Sequence, residues 1–363
     1  MSKFLKILFL PLLAINVMVA VLLICCAYSP ILPAEEMPLL SLAGLAFPFV
    51  LVVNALFLIL WLLIYPRYAV VPLVTGLICI VQIRAFLPIN LGRQHAPEGS
   101  LKLLSYNILS PNINASNINA SNATINYLEQ VDADIICLQE FHFSNLKKHK
   151  KLLDKYPYKS YLVSKDSETS ARFLGCLSKY PILSVEKLKF DSPFNGCSKY
   201  YILHEEDTIV VYNCHLQSNG LLGKDKSTYE QILANPKETL SSSETKNLVK
   251  KLRDSAAKRA VQTDIITAEL KKETSPYIIV CGDFNDSPIS YTCHQLRKCL
   301  DDAYINSGNG PGVSYNRNKL YYRIDHILHS SHFKAYDCFV DRSIKVSDHY
   351  PILCSLEKAE RVL

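Results

Sequence analysis

Two long stretches without a charged residue, both near the N-terminus, restrict what this chain can fold into more than any other feature. They run from Ile7 to Ala34 and from Met37 to Tyr65. Each is longer than the ~20 residues that an apolar helix needs to cross a bilayer. A third apolar run, Tyr68 to Ile83, is only marginally long enough. Residues 1–90 are therefore predicted to form an integral membrane domain of about three helices, and whether the third one crosses stays open.

Basic residues predict the orientation of these helices, because short loops that carry Lys and Arg stay inside. Lys3 and Lys6 precede the first run, Arg67 follows the second, and the connection between them carries only Glu35 and Glu36. With three spans, the N-terminus lies inside and the large domain after residue 90 is extracytoplasmic. With two spans, that domain stays in the cytoplasm. If the first run is instead a cleaved signal peptide, the second run still anchors the protein.

The charge and cysteine content of the chain argue for no particular partner. The net charge is +6, and the basic clusters Lys147–Lys151 and Lys246–Arg259 are also typical of solvated helix faces. The 12 cysteines include no Cys-x-x-Cys pair, which argues against structural zinc. Cys176 and Cys197 lie in neighbouring strand-like segments and could form a disulfide outside the cytoplasm. Two free, buried thiols are the alternative.

The soluble part is organised around the stretch Ile278–Pro288, which begins as a short apolar run typical of a buried strand. The run breaks at Gly282, and Asp283 and Asn285 follow two residues apart, so they share a direction if the chain stays extended. One interpretation is an Asx-rich turn that caps the strand. The other is a base that deprotonates water, next to an amide that holds a substrate.

Six apolar strands or strand-like runs end in, or contain, polar side chains of complementary type, which favours the second interpretation. Carboxylate and amide oxygens suit Mg²⁺ or Mn²⁺ better than zinc. Imidazoles beside carboxylates suit a phosphate ester, whose oxygens gain charge in the transition state. The side chains are Asn107, Glu140, His215, Asp283, Asn285, Asp325, Asp348 and His349.

These stretches resemble the endonuclease/exonuclease/phosphatase superfamily, the deoxyribonuclease-like enzymes, over about residues 101–357. The resemblance implies a four-layer α/β sandwich of two packed mixed β-sheets flanked by helices, here preceded by the α-helical membrane domain. The expected organisation is a membrane domain (1–90), a polar linker (91–100) and a catalytic domain (101–363). The matching stretches are Ser-Tyr-Asn107, Leu-Gln-Glu140, Asn-Cys-His-Leu216, Gly-Asp-Phe-Asn-Asp286, Arg-Ile-Asp-His326 and Ser-Asp-His349.

By position, the resemblance implies a divalent-metal site and a phosphate contact. Glu140 and Asn107 would hold Mg²⁺ or Mn²⁺, with Asp348 close by. Lys179 stands in Ser-Lys-Tyr-Pro181, where many relatives have Ser-Arg-Tyr-Pro. It would bind substrate with a single charge, because lysine lacks the bidentate geometry of arginine.

The resemblance also implies the acid–base groups. Asp283 would orient or deprotonate the attacking water, and Asn285 would bind a phosphate oxygen. His349 would contact the scissile phosphate and be held by Asp325, a pairing that fixes the imidazole tautomer. His215 would stabilise developing charge or protonate the leaving group.

The expected function is a membrane-anchored, divalent-metal-dependent phosphoesterase that uses water to hydrolyse a phosphodiester or phosphomonoester. Its substrate class stays open between nucleic acid and a phosphorylated lipid or sugar. The lipid bilayer is the expected partner of the N-terminal helices, and no protein partner is identifiable. The alternative is a catalytically inert, membrane-tethered binding module of the same fold.

The topology can be tested with reporters fused after Leu363. With three spans, we expect a reporter that is active only outside the cytoplasm to be active there. A signal from a reporter that is active only in the cytoplasm would mean that the third apolar run does not cross.

Overall fold

The computed structural model describes residues 3–92, 95–109, 118–141, 149–162, 173–192, 195–221, 223–235, 242–317 and 320–359. Residues 93–94 of the predicted linker lie outside these ranges, as do residues 147–148 of the first predicted basic cluster.

The helices fall into an N-terminal group and a set that flanks the strands. The first group comprises α1 (Lys3–Tyr28), α2 (Pro38–Ser41), α3 (Phe47–Ile64), α4 (Val70–Ile78) and α5 (Ile80–Phe86), with 3₁₀ turns at Ser29–Ile31, Leu42–Ala46 and Pro66–Ala69. The second comprises α6 (Ile118–Val131), α7 (Lys150–Lys155), α8 (Gly223–Ala234), α9 (Ser243–Leu270), α10 (Tyr291–Leu296) and α11 (Ala303–Ser307).

Two segments of the N-terminal group, Phe9–Ile31 and Pro38–Ile64, are long and apolar enough to cross a membrane. The third apolar run forms a pair of helices, Pro66–Ile78 and Ile80–Phe86, that is bent by 66° and counts as a third span only if the pair is taken as one. Buried amides join the helices, as interhelical hydrogen bonds do in membrane bundles. Trp61 Nε1 donates to Asn16 Oδ1 (2.9 Å), and Asn54 Nδ2 donates to the Pro72 carbonyl (3.1 Å).

The strands form two six-stranded mixed sheets and a two-stranded ribbon. The first sheet has the order β13-β14-β1-β2-β4-β3, with β1 (Leu101–Asn107), β2 (Ile135–Phe141), β3 (Tyr158–Leu162), β4 (Phe173–Ser178), β13 (Phe333–Val340) and β14 (Ile352–Lys358). The second has the order β5-β6-β7-β8-β12-β9, with β5 (Ile182–Leu188), β6 (Gly196–His204), β7 (Asp207–His215), β8 (Ile278–Asp283), β9 (Asp301–Asp302) and β12 (Asp325–His329). The ribbon pairs β10 (Tyr315–Arg317) with β11 (Leu320–Tyr322).

The two sheets pack face to face, and helices cover their outer faces. Alternate residues of the central strands, such as Leu103 and Ile135 in one sheet and Val211 and Ile279 in the other, form the core between the sheets. Helices α6 and α7 cover the first sheet, and α9 and α10 cover the second. The predicted four-layer α/β sandwich is confirmed.

Each sheet contains one central parallel pair, and these pairs bring the polar strand ends together. β1 pairs in parallel with β2, so Asn107 lies opposite Gln139 and beside Glu140. β7 pairs in parallel with β8, so His215 lies opposite Asp283. Carboxyl ends of neighbouring parallel strands lie at the same edge of a sheet. The candidate site therefore forms at one edge of the sandwich.

The N-terminal helices contact this same edge. Ile289, in the loop after β8, packs in an apolar cluster with Leu23 and Phe47 of the N-terminal helices. A Cβ placed on Gly44 would lie 2.1 Å from the Ile289 carbonyl oxygen, so the two backbones touch. The sandwich thus contacts both of the first two apolar segments, the second one near its N-terminal end.

Of the two alternatives for Cys176 and Cys197, the structure has the free, buried thiols, and all the cysteines are free. Cys176 lies in the core between the sheets, whereas Cys197 lies on the outer face of the second sheet. The neighbour of Cys197 is Cys214 on the adjacent strand, with 3.4 Å between the sulfur atoms. Cys176 and Cys197 do not pair, because strands that follow one another in the sequence can present their side chains to opposite faces of a sheet.

A buried pair of amides ties the two sheets together directly behind the strand ends. Gln139 Nε2 donates to Asn213 Oδ1 (2.7 Å), and Asn213 Nδ2 donates to the carbonyls of Leu138 and Gly175 (3.1 and 3.0 Å). Asn213 is fully buried.

Asn213→Leu should lower the free energy of unfolding by about 1–3 kcal/mol, because it leaves buried polar groups without partners. Thermal and denaturant unfolding in detergent measure this loss. The control is Asn247→Leu on the exposed face of α9, which should change stability little. Equal stability of the two variants would contradict the structural role of Asn213.

Candidate functional site

Gly282 allows β7 and β8 to approach closely enough to bring their end residues together. Its φ is +134°, and a Cβ at this position would lie 2.0 Å from the Cys214 carbonyl oxygen. Such a conformation is essentially restricted to glycine. With Gly282 in place, His215 Nε2 lies 3.7 Å from Asp283 Oδ2.

The Asp283 carboxylate lies at the centre of the site and is 1% exposed. Asn107 Nδ2 donates to its Oδ2 (3.0 Å), and the backbone N–H of Asn285 donates to its Oδ1 (2.8 Å). Burial raises the pKa of Asp283, while the imidazoles of His349 and His215 oppose that shift. A buried carboxylate with a raised pKa is a better proton acceptor than an exposed one.

Asp325 and His349 form a buried ion pair next to Asp283. His349 Nδ1 lies 2.8 Å from Asp325 Oδ2, and its Nε2 lies 3.7 Å from Asp283 Oδ2. Burial alone lowers the pKa of His349, but the Asp325 and Asp283 carboxylates outweigh it and raise that pKa to about 10. The imidazole is therefore a cation at neutral pH. Both of its nitrogens carry a proton, so it has no alternative tautomers.

Three oxygen-bearing side chains, those of Glu140, Asn107 and Asp348, are candidate ligands for a divalent cation. Glu140 has a positive φ of +51° at a bulge in β2, which places its Oε1 3.7 Å from His215 Nε2. Asn107 Oδ1 accepts one hydrogen bond, from Leu109 N–H, and a carbonyl-type oxygen has a second lone pair. Asp348 Oδ1 is buried without a hydrogen-bond partner among the described residues. Hard oxygen donors of this kind suit Mg²⁺ or Mn²⁺.

A tighter cluster, Asp283 with Asp325 and His349, has ligand atoms within 4.8 Å of one another. With His349 protonated, two carboxylates face one cation, and a protonated imidazole has no lone pair to give to a metal. The cluster can therefore hold a metal only with the imidazole deprotonated, and its three groups otherwise suit proton and charge chemistry.

Asn285 lies beside this cluster, and its side-chain amide makes one hydrogen bond. Its Nδ2 donates to the Leu216 carbonyl at 3.1 Å. An amide nitrogen carries two hydrogens, so one donor remains for a substrate oxygen.

The structure does not bring Lys179, the predicted substrate-binding residue, to this edge of the sandwich. Lys179 follows β4, which runs antiparallel to β2, so it lies at the end of the sheet away from Glu140. Its Nζ binds the carboxylates of Asp132 and Asp134 at 2.7 and 3.0 Å. The local sequence could not indicate at which end of the sheet the residue would lie.

Three supporting residues did not emerge as site residues from the sequence. Ser347 Oγ donates to the Asn107 carbonyl (2.8 Å), and the Tyr315 ring lies edge-on to His349 (5.2 Å). Arg259 is buried, not part of a solvated helix face, and donates to the Gln217 carbonyl just after β7. Arg259 follows Ala256 by three residues and so lies on the apolar face of α9, and this spacing could have indicated that Arg259 is buried.

Replacing Gly282 with alanine should prevent β7 and β8 from closing and separate His215 from Asp283. We expect a loss of several kcal/mol in stability or failure to fold, since both the φ and the added Cβ are disfavoured. Gly196→Ala is the matched control, because its Cβ would lie at ordinary contact distances from Leu174 (3.6 Å) and Lys187 (4.0 Å). Thermal unfolding of both variants tests this, and a stable Gly282→Ala protein would contradict it.

Comparison with known proteins agrees with this geometry. The sequence profile of the Endonuclease/Exonuclease/phosphatase family matches residues 104–349, and a domain of unknown function (DUF8431) matches residues 5–86. No curated protein matches the chain.

Solved structures share the fold of the sandwich at low sequence identity. The catalytic domain of human Nocturnin with bound sulfate has a TM-score of 0.51 and 13% identity, covering 74% of this chain and 97% of that one. TDP2 from D. rerio, complexed with single-strand DNA product, has a TM-score of 0.51 and 16% identity, covering 72% and 100%. A Bacteroides vulgatus endonuclease/exonuclease/phosphatase has a TM-score of 0.51 and 15% identity, covering 72% and 100%. The profile match covers more than half of the chain, so this protein belongs to the Endonuclease/Exonuclease/phosphatase family.

Proposed function

We propose that the protein is a membrane-anchored, divalent-metal-dependent phosphoesterase. The observation that carries this proposal is the convergence of two buried histidines and two buried aspartates, Asp283 and Asp325, at one edge of the sandwich, next to an Asp348 oxygen that is buried without a hydrogen-bond partner among the described residues. Burying several charged groups is costly unless they serve one another or a ligand. Perturbed pKa values in a shared site are a mark of catalysis.

Glu140, Asn107 and Asp348 would hold the metal, Mg²⁺ or Mn²⁺. When bound, the cation would supply positive charge that offsets the negative charge of a phosphate ester. The orphaned Asp348 Oδ1 and the second lone pair of Asn107 Oδ1 support this assignment.

The remaining side chains would act on the proton and the phosphate. Asp283 would accept a proton from the attacking water, since its pKa is raised by burial. His349, kept cationic by Asp325, would bind a phosphate oxygen that gains charge in the transition state. Asn285 would donate its remaining N–H to another. His215, between Glu140 and Asp283, would stabilise or protonate the leaving oxygen.

The position of the site favours a substrate presented at a membrane surface, such as a phosphorylated lipid, over a free nucleic acid. Ile289, which packs against the membrane helices, follows Asn285 by four residues. Such a segment spans at most about 14 Å. The catalytic edge therefore lies beside the apolar helices, and the catalytic domain would lie outside the cytoplasm if all three apolar runs cross.

The rival interpretation is an inert, membrane-tethered binding module. Every acid–base and metal-ligating residue that the family resemblance implies is present in the chain, which supports an active enzyme over this rival. Metal and phosphate-ester binding without turnover would favour the rival.

Two substitutions separate metal binding from catalysis. Glu140→Gln keeps the shape of the side chain but removes its charge, so it should weaken Mg²⁺ affinity. His349→Ala should leave Mg²⁺ affinity nearly unchanged and lower the rate on the order of 10²-fold or more, the usual scale for one such group. Calorimetric Mg²⁺ titration beside turnover measures both effects.

Chelation should abolish turnover, and Mg²⁺ or Mn²⁺ should restore it. Lys179→Ala is the control and should match the parent in both measurements, because its partners lie at the far end of the sheet. If Glu140→Gln binds metal and turns over like the parent, the assigned metal site is wrong.

A substrate panel identifies the substrate class. The full chain in vesicles, with Mg²⁺, would be given plasmid DNA, RNA, sphingomyelin, phosphoinositides and a simple bis-aryl phosphodiester. We expect lipid phosphate esters in the same bilayer to be hydrolysed faster than the polymers. A preference for DNA or RNA would contradict the inference from the position of the site.

A further inference from the structure

The stretch Ala85–Asn90, here termed the exit segment, leads out of the last apolar helix and is hydrogen-bonded into the sandwich. The Pro88 carbonyl accepts from the Gly310 N–H at 2.9 Å. Asn90 donates three further hydrogen bonds, from its backbone to Asn309 Oδ1 (2.7 Å) and from its side-chain amide to the carbonyls of Ile305 and Gly308 (3.1 and 2.6 Å). The partners all lie within residues 305–310, so the exit segment is hydrogen-bonded to one short stretch of the sandwich.

Arg323 makes a second, buried connection to the same segment. Its side chain is among the largest fully buried ones, and its guanidinium donates to the carbonyls of Ala85 and Pro311. The guanidinium also lies 4.3 Å from the centre of the Tyr304 ring, a cation–π distance. A buried guanidinium is unfavourable without partners. The Ala85 carbonyl is therefore part of what makes this position of Arg323 stable.

From this connection, backbone and hydroxyl contacts lead to the catalytic pair. Ser314 Oγ accepts from the N–H groups of Ile324 and Asp325 (3.0 and 3.1 Å), and the Ser314 carbonyl accepts from Tyr350 N–H (2.7 Å). Tyr315 forms a β-bridge with His349. The segment 311–315 thus contacts Arg323 at its first residue, and at its last two residues it contacts Asp325 and His349.

We propose that Arg323 is a positioning residue through which the exit segment sets the placement of Asp325 and His349. The membrane domain would then help to position the catalytic residues in addition to anchoring the protein. Catalysis would depend on the exit segment staying docked. The proposal rests on the proposed function, because its kinetic test needs a phosphoesterase to measure.

Substitutions in the full chain test the positioning role. Asn90→Ala removes two of the side-chain hydrogen bonds without touching Arg323. Arg323→Lys keeps the charge but reaches one carbonyl instead of two, and Arg323→Met removes the charge at similar size. Leu91→Ala is the matched control, since Leu91 is 91% exposed and follows Asn90 directly.

The expected result is a lower kcat with unchanged Mg²⁺ affinity and nearly unchanged KM. We expect a loss on the order of 10-fold for Asn90→Ala and Arg323→Lys, and on the order of 100-fold for Arg323→Met, since small misplacements of catalytic groups cost that much. A purely structural role would lower the yield of folded protein but leave kcat per folded molecule intact, and that result would overturn the proposal. If Arg323→Met does not fold, Asn90→Ala still decides the matter.

A cut in the chain provides a second test that does not need activity. Residues 97–99 are exposed and follow the exit segment, so a protease site built there would leave that segment on the membrane fragment. We expect the cut parent to keep both fragments together in the membrane, and the cut Asn90→Ala and Arg323→Met variants to release the catalytic fragment.

The two tests separate the proposal from the proposed function. If the parent hydrolyses no phosphate ester, the proposed function fails, while co-fractionation of the cut fragments still reports the docking. If the cut parent releases its catalytic fragment and that fragment hydrolyses substrate as fast as the intact chain, the positioning role of the exit segment is excluded.

Discussion

The buried carboxylate of Asp283 is the interaction on which the arrangement of the site depends. An isolated charge at this depth would cost several kcal/mol. Four separate parts of the chain offset that cost, and each must be folded for the others to be useful. Asn107 and the backbone of Asn285 donate hydrogen bonds, and His215 and His349 supply positive charge. The convergence explains why two sheets, and not one, are required to build the site.

Two contacts also connect the site to the N-terminal apolar helices. The loop after Asp283 carries Ile289 into the apolar cluster of those helices, and the strand that begins at Asp325 is preceded by Arg323, which binds the Ala85 carbonyl. Both elements that frame the site are therefore fixed by contacts with the N-terminal helices. A tether of random length would make neither contact.

Much of the fold and most of the site residues could be predicted from the sequence, because the signals are local. An apolar run that ends in Asp283 or Glu140 indicates a buried strand with a polar end, and the resemblance to a family implied the four-layer α/β sandwich. The place of Lys179 in the fold and the choice between a Cys176–Cys197 bridge and free thiols could not be predicted from the sequence, for a common reason. Both depend on strand direction and sheet face, which are set by partners far away in the chain. The Asn90 and Arg323 contacts cross more than 200 residues of sequence, for which no local pattern exists.

The central claim is that Glu140, Asn107 and Asp348 form a metal site beside the Asp325–His349 pair. Anomalous diffraction from the full chain crystallised with Mn²⁺ tests it most directly, because the signal locates the ion independently of turnover. The account predicts one strong peak within coordination distance of the Glu140 carboxylate and an oxygen of Asn107 or Asp348. A peak between Asp283, Asp325 and His349 with Glu140 unligated, or no peak from protein that turns over with Mn²⁺, would contradict it.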